Sequence, residues 1–553
     1  MLEKIIKNEQ KLIFRIMLIS LALGVISFFK YYMFTSSTSV KGIIKSIYSF
    51  SGIIVIIFLL GVSVELFKNK SVKKALRSCV LFIIIVLTSV EILLLFNFNT
   101  FITPSTLQIF VESNIKEANE FMSLYFNKNL LYLLIISALI FLLDKFFWKN
   151  FKIKSIKYKS LILGTLILSV IINIHMIKSN RLLTSGNSFT RLYASSKIVK
   201  EDLKAYNEIL KNLKKDKIEL VENNSSIKNI ILIIGESTGR NHMSLYNYDY
   251  ETNPNLKKLE EEKKLYKFSD VVSPHSHTIP VLKKLLTYQN LESTFEWNES
   301  DNIIDIMKAA GFKTQWISNQ ESFGIWGNVA AAIASKSDSV IFNNIRNSQD
   351  EVYGQYDEQL LSKFNINNTE KTFTVLHLMG SHSAYKARYP ERWNKFTKEL
   401  HKNNGEIIST YDNSILYNDY VINEVYNKVK DEEAIILYLS DHGEEVFDFR
   451  DFVGHAESNG SRYMIEIPFM FIVTEKFKEK YPQKLQQIKA ALNKPYMSDD
   501  TIFTILDLAD IKTKEFDEKR SLINEKFNFK RKRIFNNKNY DLEMKEDVIN
   551  EKS

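Results

Sequence analysis

The sequence contains a single cysteine, Cys79, among its 553 residues. One cysteine excludes a disulfide within the chain, even in an oxidising compartment. The sequence also lacks any recognised nucleic-acid-binding motif. Its net charge of +9 is therefore more typical of a membrane protein with basic loops that contact anionic headgroups than of a nucleic-acid-binding protein.

The length and the distribution of apolar residues indicate two structural regions. Single hydrophobic cores stop growing at roughly 250–300 residues, and this chain is longer. The composition is 45% hydrophobic with a mean hydropathy of −0.13, but the apolar residues are concentrated in the first third. The sequence therefore predicts a membrane half followed by a soluble half.

Five apolar stretches precede residue 178, and each approaches the ~20 residues that cross ~30 Å of hydrocarbon. They run from Ile13 to Phe29, Ile47 to Leu66, Val80 to Phe96, Leu130 to Phe147 and Leu161 to Met176. The first stretch has no small-residue cleavage site and four more follow it. This pattern favours a retained helix over a signal peptide.

The orientation follows from basic residues near the ends of the stretches, because such residues prefer the cytoplasm. They cluster before the first stretch, after the second and after the fourth. An odd number of spans then predicts that everything after Met176 lies outside the cytoplasm. The predicted transmembrane domain is 1–178, and its outer-face loop 97–129 fits an amphipathic lid and an ordinary connection equally well.

The rest of the chain is predicted to comprise linker helices at 179–226, a catalytic domain at 227–540 and a polar tail at 541–553. Three segments, NIILIIGEST, TFTVLHLMGSH and EAIILYLSDHGEE, each place an apolar strand before polar residues. Helical patterns at 302–310 and 411–429 lie between them. This alternation predicts an α/β domain with a mostly parallel sheet, whose ligands bind beyond the carboxyl ends of the strands.

The strand ends and the later GHAES segment carry the side chains that zinc accepts as ligands. The candidates are Glu236, His382, Asp441, His442 and His455, with His377 as a further one. A lone histidine is more often a hydrogen-bonded structural residue. The combination, with most members placed after apolar strands, indicates a metal site.

Thr278 is a candidate nucleophile because it directly precedes a helical pattern. A metal lowers the pKa of a bound hydroxyl, and the free N–H groups of a helix amino terminus favour an anion such as phosphate. The residues alone leave alternatives open. Thr278 could simply cap its helix, and Ser273 and Ser276 are equal competitors.

Six segments together resemble the phosphoethanolamine transferases, a group that includes the lipid A modifiers conferring polymyxin resistance. They are GESTGRNHMSLYNYDYETNP, SPHSHTIPVLKKLLT, LHLMGSHSAYKARYP, YDNSILYNDYVI, LSDHGEEVFD and VGHAESN. The resemblance covers nearly the whole chain. It implies a multi-pass enzyme of the cell inner membrane, whose five helices precede a periplasmic domain of alkaline-phosphatase/sulfatase-like fold.

The resemblance also implies a reaction. Phosphoethanolamine would pass from phosphatidylethanolamine to lipid A or the lipopolysaccharide core, through a phosphoethanolamine-modified Thr278. One zinc ion is expected. Its implied ligands are Glu236, Thr278, Asp441 and His442.

Four more residues match positions that bind substrate in the family. His382 and His455 match residues that hold the phosphoryl group or a second zinc. In the outer-face loop, Ser113 and Glu117 match polar positions implicated in binding the donor lipid, whereas Ile109 stands where the family has a donor-binding asparagine.

Ile109 is one departure from the family pattern, and the cysteine content is a second. Three rival functions also remain open. The lipid A modifiers carry paired cysteines, two of them flanking the nucleophile, whereas this chain has a single cysteine. Its SPHSHT and GESTGRNHMSLY motifs are closer to members acting on core sugars or on several acceptors. The rivals are a lipoteichoic-acid-type phosphoglycerol transferase, a sulfatase, and a non-catalytic envelope scaffold that retains a metal site. A sulfatase would need a cysteine or serine converted to formylglycine. Because Cys79 lies at the start of an apolar stretch, the sequence nearly excludes this class.

Overall fold

The chain folds into two compact units, Met1–Asp202 and Leu203–Ser553. The computed structural model describes residues 48, 51–52, 55, 67–98, 101–104, 106–107, 159–178, 187–212, 218–321, 329–344, 356–366, 369–401 and 404–546.

Among the described residues, three long helices precede the first β-strand: α1 (Lys70–Phe98), α2 (Lys159–Lys178) and α3 (Ser188–Asn212). The third and fifth apolar stretches of the sequence lie within α1 and α2. The first and fourth stretches lie outside the described residues, as does nearly all of the second. Within the part of the chain that is described, no helix combines the length and the apolar character that crossing a membrane requires.

A seven-stranded sheet forms the centre of the second unit, with the strand order β3-β11-β8-β2-β7-β5-β6. Its strands are β2 (Asn229–Gly235), β3 (Leu265–Lys267), β5 (Lys313–Glu321), β6 (Ser339–Asn344), β7 (Thr372–His377), β8 (Ala434–Ser440) and β11 (Phe469–Val473). The pairings from β8 to β6 are all parallel. Because β11 pairs antiparallel with both β8 and β3, the sheet is mixed, which corrects the predicted mostly parallel sheet.

The central strands are apolar throughout because both faces of the sheet are covered. Every residue of β2 and β8 is buried. Successive side chains of a strand point to opposite faces. Accordingly, Ile230, Leu232 and Ile234 pack into one hydrophobic core, while Ile231 and Ile233 pack into another on the opposite face.

Helices and short strands surround this sheet. The helices are α4 (Pro254–Glu261), α5 (Thr278–Leu285), α6 (Ile303–Ala309), α7 (Val329–Ala334), α8 (Gly405–Val429), α9 (Glu475–Lys480), α10 (Pro482–Ala491) and α11 (Thr501–Leu508). The short strands are β1 (Leu220–Asn223), β4 (Val271–Val272), β9 (Glu445–Val446), β10 (Val453–Gly454), β12 (Tyr496–Met497), β13 (Ile511–Thr513), β14 (Ile534–Phe535) and β15 (Lys538–Asn539). Helices α6 and α8 confirm the two helical patterns predicted near residues 302 and 411.

The register of the parallel strands brings their carboxyl ends to one edge of the sheet. Gly235 at the end of β2 lies opposite Ser440 at the end of β8. On the other side of β2, Ile234 lies opposite His377, the last residue of β7. The residues that follow these three strands therefore meet in space although they are far apart in sequence.

Candidate active site

Glu236, Asp441 and His442 form a buried cluster just beyond β2 and β8. One ligand atom of each lies within 4.8 Å of the others, a spacing that suits a single metal ion. The Nε2 atom of His442 is 3.3 Å from Oε1 of Glu236 and 3.6 Å from Oδ2 of Asp441. The structure thus brings together three of the residues that the sequence proposed as zinc ligands.

Hydrogen bonds orient two of these groups while leaving one atom of each free for a ligand. Oδ1 of Asp441 accepts from the backbone N–H of Ser237 at 3.1 Å and of His442 at 2.6 Å. Nδ1 of His442 donates to the carbonyl oxygen of Gly443 at 2.8 Å, which leaves the lone pair on Nε2. Asp441 Oδ2 and His442 Nε2 are buried and have no hydrogen-bond partner among the described residues. A donor set of two carboxylates and an imidazole, with Asp441 Oδ2 and His442 Nε2 free, fits zinc.

A glycine allows the loop after β7 to approach Glu236. Gly380 has a φ of 55°, in the left-handed region that favours glycine. A Cβ at this position would lie 2.6 Å from the carbonyl oxygen and 2.7 Å from the nitrogen of Glu236. Only a residue without a side chain fits here, so Gly380 helps to fix the backbone that presents the Glu236 carboxylate.

Of the three hydroxyl candidates in the 273–278 segment, Thr278 is the one that contacts the cluster. It is half-buried at the first position of α5, and its Oγ1 donates to the Glu236 carboxylate, 3.1 Å from Oε2 and 3.2 Å from Oε1. The N-cap of α5 is His277, so Thr278 does not cap the helix. Ser273 donates instead to the carbonyl oxygen of His275, and Ser276 to Glu457.

His455 lies beside the cluster and forms a second potential ligand group with His442 and Glu444. Its ring centroid is 4.3 Å from that of His442, and its Nδ1 is 2.6 Å from Oε2 of Glu444. Glu444 is the residue that the sequence reasoning overlooked. Its position in the DHGEE segment, three residues after Asp441, could have identified it as a candidate.

The two other histidine candidates differ in their surroundings. His382 follows β7 by five residues and is half-buried, with Nδ1 3.4 Å from Oγ of Ser383. His377 is buried within β7, with its ring edge toward Trp316 at a centroid distance of 6.1 Å. His377 belongs to neither group of described residues that could hold a metal, so its proposed role as a ligand is not supported.

Burial dominates the electrostatics of these groups. It raises the pKa of Asp441 to about 6, and the charge of Glu236 acts in the same direction. Burial lowers the pKa of His382 to about 4 and of His455 to about 3, so both imidazoles are neutral near pH 7.

The two residues predicted to contact the donor lipid, Ser113 and Glu117, lie outside the described residues, as does Ile109. The candidate site therefore consists of the groups at the carboxyl ends of the strands and at the start of α5.

Residues 228–511, which make up half of the chain, match the family described as Sulfatase. The chain belongs to the sulfatase family. Phosphoethanolamine transferase EptC of Escherichia coli O18:K1:H7 is 32% identical over 321 residues, which make up 55% of this chain and 55% of that relative. The chain thus spans about half the length of the relatives it matches.

Two solved structures extend this comparison. The C-terminal periplasmic domain of EptC from Escherichia coli, solved in complex with zinc, is 31% identical, with a TM-score of 0.53 over 59% of this chain and 95% of that domain. Lipooligosaccharide phosphoethanolamine transferase A from Neisseria meningitidis, an integral membrane protein, has a TM-score of 0.60 over 92% of this chain and 97% of its own. At 20% identity, that second likeness shows the fold alone.

These relatives confirm two predictions made from the sequence. The resemblance to the phosphoethanolamine transferases is confirmed. The alkaline-phosphatase/sulfatase-like fold of the second unit is confirmed as well. The name of the sulfatase family describes this domain, whereas the relatives named above are transferases.

Proposed function

We propose that this protein transfers phosphoethanolamine from phosphatidylethanolamine to an envelope glycolipid, either lipid A or the lipopolysaccharide core, with Thr278 as the nucleophile. The observation that carries the proposal is the contact of Thr278 Oγ1 with Glu236, beside Asp441 and His442. A hydroxyl next to a set of metal ligands at a helix amino terminus suits attack on a phosphodiester.

Zinc is the proposed cofactor because the donor set of two carboxylates and an imidazole fits it. When bound, zinc lowers the pKa of a coordinated hydroxyl and offsets negative charge on a phosphoryl group. Glu236, Asp441 and His442 would hold the ion, and Thr278 would supply the fourth ligand. One ion is proposed.

In the first half of the reaction, Thr278 attacks the phosphorus of phosphatidylethanolamine. The bond between Oγ1 and phosphorus forms as the bond to the diacylglycerol oxygen breaks, and the hydroxyl proton ultimately moves to that oxygen. The backbone N–H groups of Thr278 and Ile279, in the first turn of α5, have no partner within the helix and can hold phosphoryl oxygens. Pro280 follows them and has no N–H group to offer.

In the second half, an oxygen of the acceptor attacks the phosphoethanolamine carried by Thr278, and the bond from Oγ1 to phosphorus breaks. His455, held by Glu444, is proposed to carry the proton between the reacting oxygens, because a neutral imidazole can accept one and return it. His382 is proposed to steady the transferred group. Ser113 and Glu117 remain predicted contacts of the donor lipid.

Inner-membrane attachment, with the catalytic domain in the periplasm, completes the proposal. The five apolar stretches of the sequence support it, and the Neisseria relative of matching fold is an integral membrane protein. Attachment would confine enzyme, donor and acceptor to one bilayer surface and raise their effective concentration. The proposed division is a membrane domain at 1–178, a linker at 179–226, a catalytic domain at 227–540 and a polar tail at 541–553.

The test is to incubate the purified full-length protein with headgroup-labelled phosphatidylethanolamine, or with labelled phosphatidylglycerol, and then to measure its mass. A gain of one phosphoethanolamine unit on wild-type protein and none on Thr278→Ala supports the proposal. Labelling from phosphatidylglycerol alone would identify a phosphoglycerol transferase. Headgroup transfer that survives in Thr278→Ala would mean that another group reacts, or that the chain is a scaffold for a separate enzyme.

Mass spectrometry of envelope glycolipids from cells with and without the protein then identifies the acceptor. A difference of one phosphoethanolamine unit on lipid A or on a core sugar is the expected result. No such difference on any glycolipid would exclude the proposed acceptor class.

A further inference from the structure

A carboxylate outside the metal cluster holds the loop that carries Thr278. Oε1 of Glu457 is 2.7 Å from Nδ1 of His275, and Oε2 accepts from the backbone N–H of Ser276 at 3.0 Å and from its hydroxyl at 3.2 Å. Since a carboxylate only accepts hydrogen bonds, Nδ1 of His275 carries the donated proton. Both oxygens of one side chain are therefore bound to the two residues that lead into His277 and Thr278.

Further hydrogen bonds stabilise both the loop and the backbone of Glu457. The Ser273 hydroxyl donates to the carbonyl oxygen of His275 at 2.8 Å, which closes the turn. On the opposite side, Nδ2 of Asn536 donates to the carbonyl oxygen of Glu457 at 2.8 Å. With one cysteine in the chain, no disulfide can hold this loop, so the restraint comes from such contacts.

The same contact joins the nucleophile loop to the segment that carries His455. Glu457 lies two residues after His455, and the ring of His277 stands edge-on to that of His455 at a centroid distance of 5.1 Å. A shift of the loop would move Thr278 relative to Glu236 and to His455 at once. A displacement of about 1 Å between reacting groups can cost roughly 100-fold in rate.

We propose that Glu457 is a positioning residue: its carboxylate fixes the His275–Ser276 turn so that the Thr278 hydroxyl is held against Glu236 and beside His455. This inference rests on the proposed function for its effect on rate, whereas the restraint on the loop is independent of any reaction. Glu457 belongs to neither potential ligand group among the described residues, so its loss should leave the metal site intact.

The structure offers a matched control in Glu433. Its carboxylate also accepts three hydrogen bonds, from the backbone N–H of Lys228 at 3.0 Å, the hydroxyl of Tyr481 at 2.7 Å and the ammonium group of Lys480 at 2.9 Å. Glu433 precedes β8, at the end of the sheet opposite the site. Glu433→Ala therefore removes a comparable set of contacts away from Thr278.

The experiment compares Glu457→Ala, Glu457→Gln and Glu433→Ala in the full-length protein in detergent. In Glu457→Ala we expect kcat for headgroup transfer to fall roughly 10- to 100-fold with KM little changed, and zinc content to stay at the wild-type level. Glu457→Gln should recover part of the loss, because its amide oxygen can still accept from Ser276. Glu433→Ala should keep wild-type kcat.

Hydrogen–deuterium exchange of the peptide covering residues 273–281 gives a readout that needs no turnover. Glu457→Ala should lose protection there, and Glu433→Ala should not. Unchanged protection in Glu457→Ala, or a loss of kcat no larger than in Glu433→Ala, would overturn the proposal. If wild-type protein transfers no headgroup, the proposed function fails, while the exchange result still decides whether Glu457 restrains the loop.

Discussion

His242 forms a buried ionic cluster outside the catalytic site, and its replacement by alanine is expected to destabilise the second unit. Its Nδ1 is 2.7 Å from Oδ1 of Asp412, and its Nε2 is 3.1 Å from Oδ1 of Asp448. The hydroxyl of Tyr248 donates to Oδ2 of Asp412 at 3.0 Å. These contacts tie the segment after β2 to α8 and to the segment after β9.

The size of the effect follows from burial. The side chains of His242 and Asp412 are 4% and 0% exposed, so solvent screens their interaction little. Removing one partner of a buried ion pair costs about 3–5 kcal/mol, because the remaining charge is left without its counterion. In a unit of this size, that corresponds to a fall in melting temperature of roughly 4–7 °C.

The effect should depend on pH. Burial alone would lower the pKa of His242, but the carboxylates of Asp448 and Asp412 outweigh it and raise that pKa from 6.5 to about 10. The contribution of the charged ring is therefore complete below pH 6.5 and is lost as the pH rises toward 10. Over this interval, the stability difference between wild-type protein and His242→Ala should shrink by about 1.4 kcal/mol per pH unit.

Tryptophan fluorescence during thermal unfolding can measure this, because four of the five tryptophans lie in the second unit. Tyr248→Phe is the matched control: it removes a hydrogen bond from an uncharged donor to the same Asp412 and should cost about 1.5–3 kcal/mol. A stability difference for His242→Ala that is the same at pH 6 and pH 9 would refute the ionic explanation and leave packing as the cause.

Three further predictions concern the proposed metal site. Asp441→Asn should lower the zinc content of the purified protein, measured by elemental mass spectrometry, because a neutral amide is a poorer ligand; unchanged content would remove Asp441 from the ligand set. A chelator should lower the melting temperature, and zinc but not magnesium should restore it, since Asp441 Oδ2 and His442 Nε2 are buried without protein partners among the described residues. Gly380→Ala should cost roughly 1–3 kcal/mol from its left-handed backbone and should also reduce zinc content by displacing Glu236; wild-type zinc content and stability would contradict the close contact.

The sequence was most informative where local pattern and chemistry coincide. The apolar segments that became β2, β7 and β8 could be recognised because strands buried on both faces are apolar throughout. Polar residues directly after such strands must lie at the edge of the sheet, so Glu236, Asp441 and His442 could be proposed together. The direction of β11 could not be predicted, because FMFIV has the same apolar pattern in a parallel and an antiparallel strand.

The choice among the candidate nucleophiles required the tertiary structure. Ser273, Ser276 and Thr278 share one short segment and carry the same hydroxyl chemistry, so the residues alone left them as competitors. Only the packing of α5 against the sheet brings the Thr278 hydroxyl to the Glu236 carboxylate, across 42 positions of sequence. The contact between Thr278 and Glu236 is a property of that packing.

By itself, the sequence determined the strands, the residues at their carboxyl ends and, through resemblance, the family. Tertiary structure decided which side chains meet. It places Glu444 beside His455 and brings Glu457 to His275 across 182 positions of sequence. It also buries His242 between two carboxylates. The physical reason is that periodicity reports which face of an element is buried. The distances between polar atoms of different elements depend on strand order, register and helix placement, which no local pattern encodes.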